Sequence, residues 1–516
     1  MQLAFSFVLL LASVLSLSVH AAPSRKRSNG LVTLPLKRIH QDTPGAGVSP
    51  HVFLQQNINR GLKRHARMTG RDAPSDLELR SNIQKRMLDY EAPAKRDALS
   101  KRYNRHGLPS GSRVVPSADI LGAKANNLKG NKKGGKGGGQ APQGGAALNS
   151  STADETGQGF SEIDLNAQSK GGLTTANQPT ADNSIGLDIE ANDVGYVGTV
   201  QIGTPPRDFK ILMDSGSADF WVGAEGCQSE EGGDCGNHVF LGQGSSSSFV
   251  DTGKPFQVTY GSGAVAGDIV NDDVSIAGLD LKAHVFGVAL QETDDFSADT
   301  TSFDGLMGLA QSTLSEQQTL TPVESLAQNG LIQDAITSFK LSRLSDGKND
   351  GEVTFGGLDS TKFDASTLVS FDNVNTQGFW EGDVSFSVDG TDLGLNGRTA
   401  ILDTGTTLII APQADAEAVH TAIPGAKSDG QGGFTIPCTT SVSVALTFGG
   451  QAFEIAPEDL LFTPVDPNDL TGDCISGISS GNVGGANEWL VGDVFLKNAY
   501  FSTDVTKNQI SLAKLV

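Results

Sequence analysis

Two stretches of this chain repeat one unusual pattern, in which an aspartate stands inside an otherwise apolar run. The first is ILMDSGSADFWV at residues 211–222, and the second is AILDTGTTLIIAP at residues 400–412. In each, a small hydroxyl residue, a glycine and a second hydroxyl residue follow the aspartate. Each repeat also has a later apolar-apolar-glycine echo, FDGLMGLA and WLVGDVF. Two similar halves, each with one intruding acid, indicate an internal duplication.

The two aspartates, Asp214 and Asp403, are informative as a pair. Either one alone would be interpreted as an ordinary Asp-Gly turn. Two carboxylates in one cleft cannot both ionise cheaply, so they share a proton. The charged member can then take a proton from a water molecule while the protonated member polarises a peptide carbonyl. Ser217 and Thr406 supply neutral hydrogen bonds, and this chemistry requires no metal and no cofactor.

The chain around these repeats is predicted to consist mainly of β-strands. From about residue 186 onward, short alternating apolar and polar segments are separated by Gly, Asp and Ser turns. Helix starts are few there. The best one has Thr321 and Glu324 as a capping box, with Pro322 in the first turn. This part of the chain is long enough for two β-rich lobes.

The N-terminal part has a different character. Residues 1–21 contain an apolar stretch that ends in small residues. This pattern predicts a signal peptide and a secreted, extracellular protein, with the vacuole as the alternative. Residues 22–102 are basic, contain several Lys-Arg pairs and are predicted to be a propeptide, with a helix over residues 53–67. Residues 103–182 are glycine-rich and are predicted to be a disordered linker. The sequon at Asn149 predicts N-glycosylation.

The charge is distributed unevenly along the chain. The whole chain has a formal net charge of −21 at pH 7, yet residues 1–185 hold 25 Lys and Arg against 13 Asp and Glu. A nucleic-acid-binding arm is one interpretation of such a basic leader. In a secreted chain, a propeptide that docks on an acidic body and lets go as carboxylates protonate is the preferred interpretation.

The four cysteines all lie in the second half of the chain. An even number in a secreted protein favours disulfides, for which three connectivities exist. A zinc site is the competing interpretation, but the chain has no C-x-x-C pair. Local pairing is preferred, Cys227 with Cys235 and Cys438 with Cys474.

From Tyr196 to Val516 the chain resembles the pepsin-like aspartic proteases, in particular fungal secreted zymogens. The resemblance rests on motifs in order: YVGTVQIGTPPRDFKILMDSGSADFWV, the flap-like VTYGSGAVAG, AILDTGTTLI, and the terminal LVGDVFLKNAYFSTDVTKNQISLAK. It implies an all-β, bilobal fold with two pseudo-twofold-related lobes, residues 183–375 and 376–516. The active-site cleft would lie between these lobes.

The resemblance also implies a role for each matching position. By role, these are the catalytic aspartates Asp214 and Asp403, the supporting residues Ser215, Gly216, Ser217, Thr404, Gly405 and Thr406, the flap residues Tyr260, Gly261 and Ser262 with Trp221 behind them, and the substrate-binding residues Leu212, Phe303, Leu306 and Ile401. The last four are apolar, so large hydrophobic residues are expected on both sides of the cleaved bond.

The chain departs from the family pattern at three places. Ser215 stands where threonine is commoner, which keeps the hydroxyl group and loses only a methyl group. The leader and linker are longer than the usual pro-segment. Related zymogens cover the two aspartates with a pro-segment lysine, and Lys37 is the candidate here. In addition, Ser262 stands where some relatives carry a flap aspartate that accepts lysine, so this position predicts no lysine preference.

The predicted function is therefore that of an aspartic endopeptidase made as a zymogen and active at acidic pH. Its expected partners are polypeptide substrates and its own propeptide as an intramolecular inhibitor. The chain is expected to be a monomer that binds neither nucleic acid nor membrane. The alternative is a catalytically inactive pepsin-like binding or inhibitor protein. Such proteins usually lose an aspartate, a motif glycine or the flap tyrosine, and this chain keeps all of them.

Overall fold

A computed structural model describes residues 49–68, 74–75, 78–87, 159–261, 263–481 and 487–516. The signal peptide, Lys37, Ser262 and Asn149 lie outside the described residues, so the predictions made for them stay predictions. Within the described residues the strands form four sheets. This confirms the all-β fold class.

The first sheet has nine strands and lies in the first half of the body. Its order is β1-β3-β4-β5-β10-β6-β9-β8-β7. The strands are β1 (Leu173–Thr174), β3 (Asp188–Glu190), β4 (Gly195–Ile202), β5 (Arg207–Asp214), β6 (Phe220–Ser229), β7 (Val250–Thr259), β8 (Ala264–Ile276), β9 (Leu279–Glu292) and β10 (Gly305–Gly308). Buried and less buried residues alternate along much of β8, because one face of the strand packs on the core.

The second half of the body holds an eight-stranded and a four-stranded sheet. Seven strands of the larger sheet follow the order β21-β20-β14-β16-β25-β17-β24, with β15 beside β14, and the smaller sheet has the order β18-β19-β23-β22. The larger sheet contains β14 (Glu381–Val388), β15 (Thr391–Asp392), β16 (Arg398–Leu402), β17 (Ile409–Ala411), β20 (Val444–Phe448), β21 (Gln451–Ile455), β24 (Ile478–Ser480) and β25 (Glu488–Val491). The smaller sheet contains β18 (Lys427–Ser428), β19 (Phe434–Pro437), β22 (Leu461–Pro464) and β23 (Asp473–Ser476).

The fourth sheet combines strands from distant parts of the chain. Its order is β13-β27-β26-β11-β12-β2. The strands are β2 (Ser184–Gly186), β11 (Ile336–Lys340), β12 (Glu352–Phe355), β13 (Val369–Asp372), β26 (Tyr500–Asp504) and β27 (Gln509–Ala513). Because this sheet draws strands from both sides of residue 375, it does not test the predicted lobe boundary, which stays a prediction.

The internal duplication is visible in the strand order. In the nine-stranded sheet β10 lies between β5 and β6, and in the eight-stranded sheet β25 lies between β16 and β17. In both cases the inserted strand runs parallel to the strand that leads to the aspartate and antiparallel to the strand that follows it. Each half therefore builds the same three-strand unit around its aspartate.

Helices are short outside the leader. They are α1 (Pro50–Met68), α2 (residues 78–87), α3 (Glu162–Lys170), α4 (Asp294–Ser297), α5 (Pro322–Gln328), α6 (Gln413–Thr421) and α7 (Asp493–Leu496), with 3-10 turns at Ser312–Leu314, Ala365–Thr367 and Pro457–Leu460. The predicted capping box at the start of α5 is confirmed, because Thr321 and Glu324 bond each other's backbone N–H groups. No described helix is long and apolar enough to cross a membrane.

The leader helices α1 and α2 lie against the body. Leu54, Ile58 and Leu62 form one stripe of α1 at helical spacing and belong to the main hydrophobic core. Arg86 of α2 is 3% exposed; it donates to the Asp429 carboxylate and to the Gln431 carbonyl oxygen at 3.1 Å. The predicted helix over residues 53–67 is thus confirmed. The arginine of the Lys85-Arg86 pair is buried while α2 is docked.

The end of the predicted linker is corrected by the structure. Residues 159–182 were expected to be disordered, but they contain α3 and β1. The Ser161 side chain caps α3, Gln168 accepts a hydrogen bond from Thr463 at 3.0 Å, and β1 pairs with β3. These tertiary contacts, which composition does not reveal, order the segment.

Both predicted disulfides are present. The Cys227 and Cys235 sulfurs are 2.00 Å apart, and the Cys438 and Cys474 sulfurs are 2.03 Å apart. Each bond closes a local loop within one half of the body. The sulfurs are consequently not thiolate ligands for zinc.

A buried ion network connects early and late parts of the body. Asp459 accepts from Arg343 Nε at 2.7 Å and pairs with the Lys497 ammonium at 2.8 Å, and Lys497 also pairs with Asp193 at 3.1 Å. Burial by itself would raise the pKa of Asp459, but the two cations outweigh it and lower the pKa to about 2. The carboxylate therefore stays charged in moderate acid.

We expect the Asp459→Asn substitution to lower the free energy of unfolding by about 3 kcal/mol at neutral pH, because it leaves Arg343 without its carboxylate and Lys497 with one carboxylate in place of two. The folded-state pKa lies below the unfolded value of about 4. The stabilising contribution is therefore complete above that value and is lost as the pH falls through about 2. Urea unfolding should be measured over a pH series, with the substitution of an exposed acid, Asp280→Asn, as the control. The free energies of unfolding of the unaltered chain and of Asp459→Asn should converge as the pH falls from about 4 to about 2. Equal stability at neutral pH would contradict the assigned role of the network.

Candidate active site

The two aspartates sit at equivalent places in the two halves. Asp214 ends β5, and its register partner on the parallel β10 is Gly308. Asp403 directly follows β16, and its N–H donates to the Val491 carbonyl oxygen of the parallel β25 at 3.0 Å. A side chain at Gly308 would collide with the backbone of Ala218 at 2.5 Å. The echo glycine is needed because the turn that follows the aspartate passes directly over it.

The two carboxylates face each other. A Cβ atom on Gly405 would lie 2.5 Å from Asp214 Oδ1, and one on Gly216 would collide with Asp403 Oδ1. Each motif glycine thus lies against the carboxylate of the other half. Both aspartates have no solvent-exposed surface. The predicted pair is therefore brought into one buried site.

Hydrogen bonds cross between the two Asp-x-Gly turns with near two-fold symmetry. The N–H of Ser215 donates to Thr404 Oγ1 at 2.9 Å, and the N–H of Thr404 donates to Ser215 Oγ at 3.0 Å. The two hydroxyl groups also donate to the opposite half. Ser215 donates to the Leu402 carbonyl oxygen at 3.1 Å, and Thr404 donates to the Met213 carbonyl oxygen at 2.8 Å. These bonds fix the distance and angle between the two aspartates.

Each carboxylate is also held within its own half. Asp214 accepts from the Gly216 N–H at 2.9 Å and from the Ser217 hydroxyl at 2.6 Å. In the same way, Asp403 accepts from the N–H of Gly405 at 2.9 Å and from the Thr406 hydroxyl at 2.6 Å. Neutral donors orient the carboxylates without cancelling their charge, which is the arrangement that the sequence predicts for these residues.

An arginine from the leader covers the pair. Arg64 of α1 donates from Nε to Asp403 Oδ2 and from Nη2 to Asp214 Oδ1, and a third bond from Nη2 to Asp403 Oδ1 measures 2.7 Å. Burial raises the pKa of Asp403; the Arg64 charge opposes this shift, and the Asp214 charge adds to it. A guanidinium group matches this geometry because its planar fork can bond both carboxylates at once.

Sequence reasoning missed Arg64 and named Lys37, which lies outside the described residues, as the covering cation. Arg64 lies two residues after Leu62, which places it about 200° around the helix from Leu62 and off the apolar stripe of Leu54, Ile58 and Leu62. The stripe therefore does not single out Arg64 among the many basic residues of the leader.

The predicted flap is a β-hairpin. Strands β7 and β8 pair antiparallel, and the turn between them closes with a bond from the Tyr260 N–H to the Gly263 carbonyl oxygen at 2.6 Å. Trp221 Nε1 donates to the Tyr260 hydroxyl at 2.8 Å, and Phe296 packs edge-on against both rings. The tryptophan thus supports the flap tyrosine, as the resemblance implies.

Three of the four predicted pocket residues border one cavity. Leu212, Phe303 and Leu306 line a cavity of about 190 Å³ together with Tyr260 and Arg64. Ile401 does not meet its prediction. It is fully buried between β14 and β25, where its register partners are Glu381 and Leu490, and it lines neither of the two cavities that border Arg64.

Comparisons with known proteins point to one family. The family model described as eukaryotic aspartyl protease matches residues 195–515. A probable aspartic-type endopeptidase of Trichophyton verrucosum is 37% identical over 340 residues, which are 66% of this chain and 64% of that relative. An aspartic-type endopeptidase of Aspergillus fumigatus is 32% identical over 343 residues, 66% of this chain and 70% of the relative.

Rhizopuspepsin of Rhizopus chinensis is 36% identical over 328 residues, covering 62% of this chain and 79% of that protein. The match thus spans just under two thirds of the Trichophyton relative and larger shares of the other two. The residues matched by the family model, 195–515, include both aspartate turns, the flap hairpin and the strands that carry them. This chain belongs to the eukaryotic aspartyl protease family.

Proposed function

We propose that this chain is an aspartic endopeptidase that hydrolyses peptide bonds between hydrophobic residues at acidic pH. The observation that carries the proposal is the pair of facing, buried carboxylates, Asp214 and Asp403, each held by one backbone N–H and one hydroxyl group. Family membership and the names of the matched relatives point in the same direction.

In the proposed reaction one carboxylate is ionised and the other is protonated, because two adjacent negative charges in a buried site repel each other. The ionised member accepts a proton from a water molecule, whose oxygen attacks the peptide carbonyl carbon. The protonated member donates to the carbonyl oxygen and stabilises the charge that develops there. The amine leaves when its nitrogen takes up a proton and the C–N bond breaks. Ser217 and Thr406 keep the carboxylates aimed throughout.

The substrate preference is inferred from the cavity beside the pair. Leu212, Phe303 and Leu306 offer an apolar wall to a substrate side chain. Burying a large hydrophobic side chain there is favourable by about 25 cal/mol per Å² of apolar surface. Tyr260 lies over the same cavity and would cover the bound peptide.

We further propose that residues 50–87 act as an intramolecular inhibitor. At neutral pH, Arg64 compensates the charge of both aspartates and fills the space where the water and the peptide carbonyl would lie. Arg86 adds a second ion pair, with Asp429. Protonation of these carboxylates in acid removes the attraction, so acidification favours release.

The inactive alternative has no support in the described residues, which retain both aspartates, the motif glycines and Tyr260. For localisation we propose the secretory route, with export or delivery to a vacuole as its end. The apolar N-terminal stretch and the disulfides support this, since disulfides persist in oxidising compartments.

Asp214→Asn should abolish proteolysis, because an amide can neither accept the proton from water nor share one with Asp403. We expect the rate of cleavage of a denatured protein substrate at acidic pH to fall at least about a thousandfold, which is the middle of the range for acid–base groups. The leader should first be removed with an added protease, so that failed maturation is not mistaken for failed catalysis. The matched control Asp280→Asn should retain activity and should be blocked by pepstatin. Undiminished cleavage by Asp214→Asn would overturn the proposal.

Arg64→Gln in the full-length chain should weaken inhibition. We expect the initial cleavage rate near neutral pH to rise about tenfold or more, because about 1.4 kcal/mol of lost closed-state preference changes the open population tenfold. Arg64→Lys keeps a cation and should stay closer to the unaltered chain. Lys85→Gln removes one exposed charge from the same leader and serves as the matched control. If the initial cleavage rate of Arg64→Gln near neutral pH equals that of the unaltered chain, this arginine does not hold the site closed.

Self-processing on acidification provides a separate test. The full-length chain should shorten on gels as the pH is lowered, because its own released site cleaves the leader. The Asp403→Asn chain should keep its length alone and shorten when active enzyme is added. If Asp403→Asn shortens equally fast without any added protease, the leader is removed by another mechanism.

A further inference from the structure

The leader helix places a second arginine in the substrate cavity. Arg60 lies one helical turn before Arg64 on α1, and both line the cavity of about 190 Å³. The walls around Arg60 carry two acids that take no part in the reaction described above, Glu190 and Asp295. A guanidinium group is thus already seated in an acidic part of the cleft.

The two acids come from separate elements of the body. Glu190 ends β3, and its Oε2 atom lies 2.8 Å from the position that a Cβ atom on Gly195 would occupy. A Leu212 δ-carbon lies 3.5 Å from the same point, so this carboxylate adjoins the apolar pocket. Asp295 lies in α4, and its Cβ atom is 3.2 Å from the Cβ position of Gly263 in the flap turn. One acid therefore lies beside the pocket and the other beside the flap.

The electrostatics of these groups depend on the leader. Burial raises the pKa of both Glu190 and Asp295, and the charge of Arg60 opposes the shift at each; Lys63 also opposes it at Asp295. The hydroxyl of Ser302 donates to Glu190 and favours its charged form. When α1 leaves, the body keeps two carboxylates in the cleft without the nearby charge of Arg60, and an incoming cation would be favourable.

We propose that Glu190 and Asp295 form a specificity subsite that selects a lysine or arginine side chain of the substrate, upstream of the cleaved bond. The subsite rests on the proposed proteolytic function and refines it. Its position follows from Leu212, because the family resemblance puts the Leu212 pocket just before the cleaved bond and Glu190 lies beyond it. The leader would occupy the subsite as a substrate does, with Arg60 in place of the substrate cation.

This subsite is independent of the flap position at Ser262. Lysine preference through a flap aspartate acts on the residue next to the cleaved bond, where this chain offers apolar walls. Here the acids belong to the body and not to the flap position: Glu190 ends β3 and Asp295 lies in α4. One substrate can therefore carry hydrophobic residues at the cleaved bond and a basic residue upstream of it.

The test compares matched peptides with the mature enzyme. A parent peptide with hydrophobic residues at the cleaved bond would carry lysine or norleucine, in turn, at each of the upstream positions. Norleucine keeps most of the aliphatic chain and lacks the charge. The ratio of kcat/KM for lysine to that for norleucine reports the charge preference alone. The least acidic pH at which the enzyme still cleaves should be used, because both carboxylates must be ionised to attract a cation.

We expect the unaltered enzyme to favour lysine about tenfold at one upstream position, the size of one charge-assisted hydrogen bond. Glu190→Gln and Asp295→Asn should each reduce this ratio, and the double variant should bring it close to one. The norleucine peptides serve as the reference within each variant, and measurable cleavage of them verifies that the variants fold. Asp280→Asn, an exposed acid elsewhere in the same sheet, should keep the full ratio.

Two outcomes overturn the subsite in different ways. A ratio near one at every upstream position in the unaltered enzyme would mean that the acids only hold the leader. A lysine preference that survives in the double variant would assign the preference to other residues. If the mature enzyme cleaves no peptide at all, the proposed proteolytic function itself fails, and this result is distinct from both.

Discussion

The four hydrogen bonds that interlock the Ser215 and Thr404 turns are the interaction on which the rest of the site depends. Each turn donates its backbone N–H to the hydroxyl of the other, and its own hydroxyl donates a hydrogen bond to a carbonyl oxygen in the opposite half. These groups are fully or almost fully buried, so leaving any of them unpaired would cost about 1–3 kcal/mol. The interlock forces Asp214 and Asp403 to face each other despite their repulsion. A fold that holds two carboxylates together must then reduce the repulsion between their charges. The leader arginine does so by its positive charge, and a shared proton does so by neutralising one carboxylate.

The leader manages that charge from outside the body. Arg64 compensates both carboxylates while α1 is docked, and the stripe of Leu54, Ile58 and Leu62 gives the helix its affinity by burying apolar surface. The two contributions respond differently to acid. Apolar burial is insensitive to pH, whereas the ion pairs weaken as carboxylates protonate. Within the body, the Asp459 carboxylate resists the same change, because Arg343 and Lys497 lower its pKa to about 2. Acid can therefore loosen the leader before it loosens the fold.

Much of this arrangement could be predicted from the sequence, and the failures have identifiable physical causes. The duplicated aspartate motif predicted the paired site because two acids brought into one cleft can share a proton, which gives both intruding aspartates a common role. Ile401 was assigned to the cleft, but its side chain is fully buried in the main hydrophobic core. Arg64 was missed because docking of a leader depends on contacts between residues far apart in sequence, and one basic residue among many carries no local signal. Residues 159–182 looked disordered for the same reason, since Gln168 and β1 are held by partners elsewhere in the chain.

The helical form of α1 explains how the leader could occupy the cleft of the proposed protease without being cleaved. A substrate must present an extended peptide, whose carbonyl group is free to face the aspartates. In α1 the backbone carbonyl groups are engaged by N–H groups one turn later, so the aspartates meet a side chain instead of a peptide bond. Helical geometry also sets what the cleft recognises, because residues four apart lie on one face. Arg64 reaches the aspartates, and Arg60 consequently reaches the wall that holds Glu190 and Asp295. Inhibition and substrate selection would thus use the same surfaces of the cleft, with the difference between them lying in the backbone conformation of the bound segment.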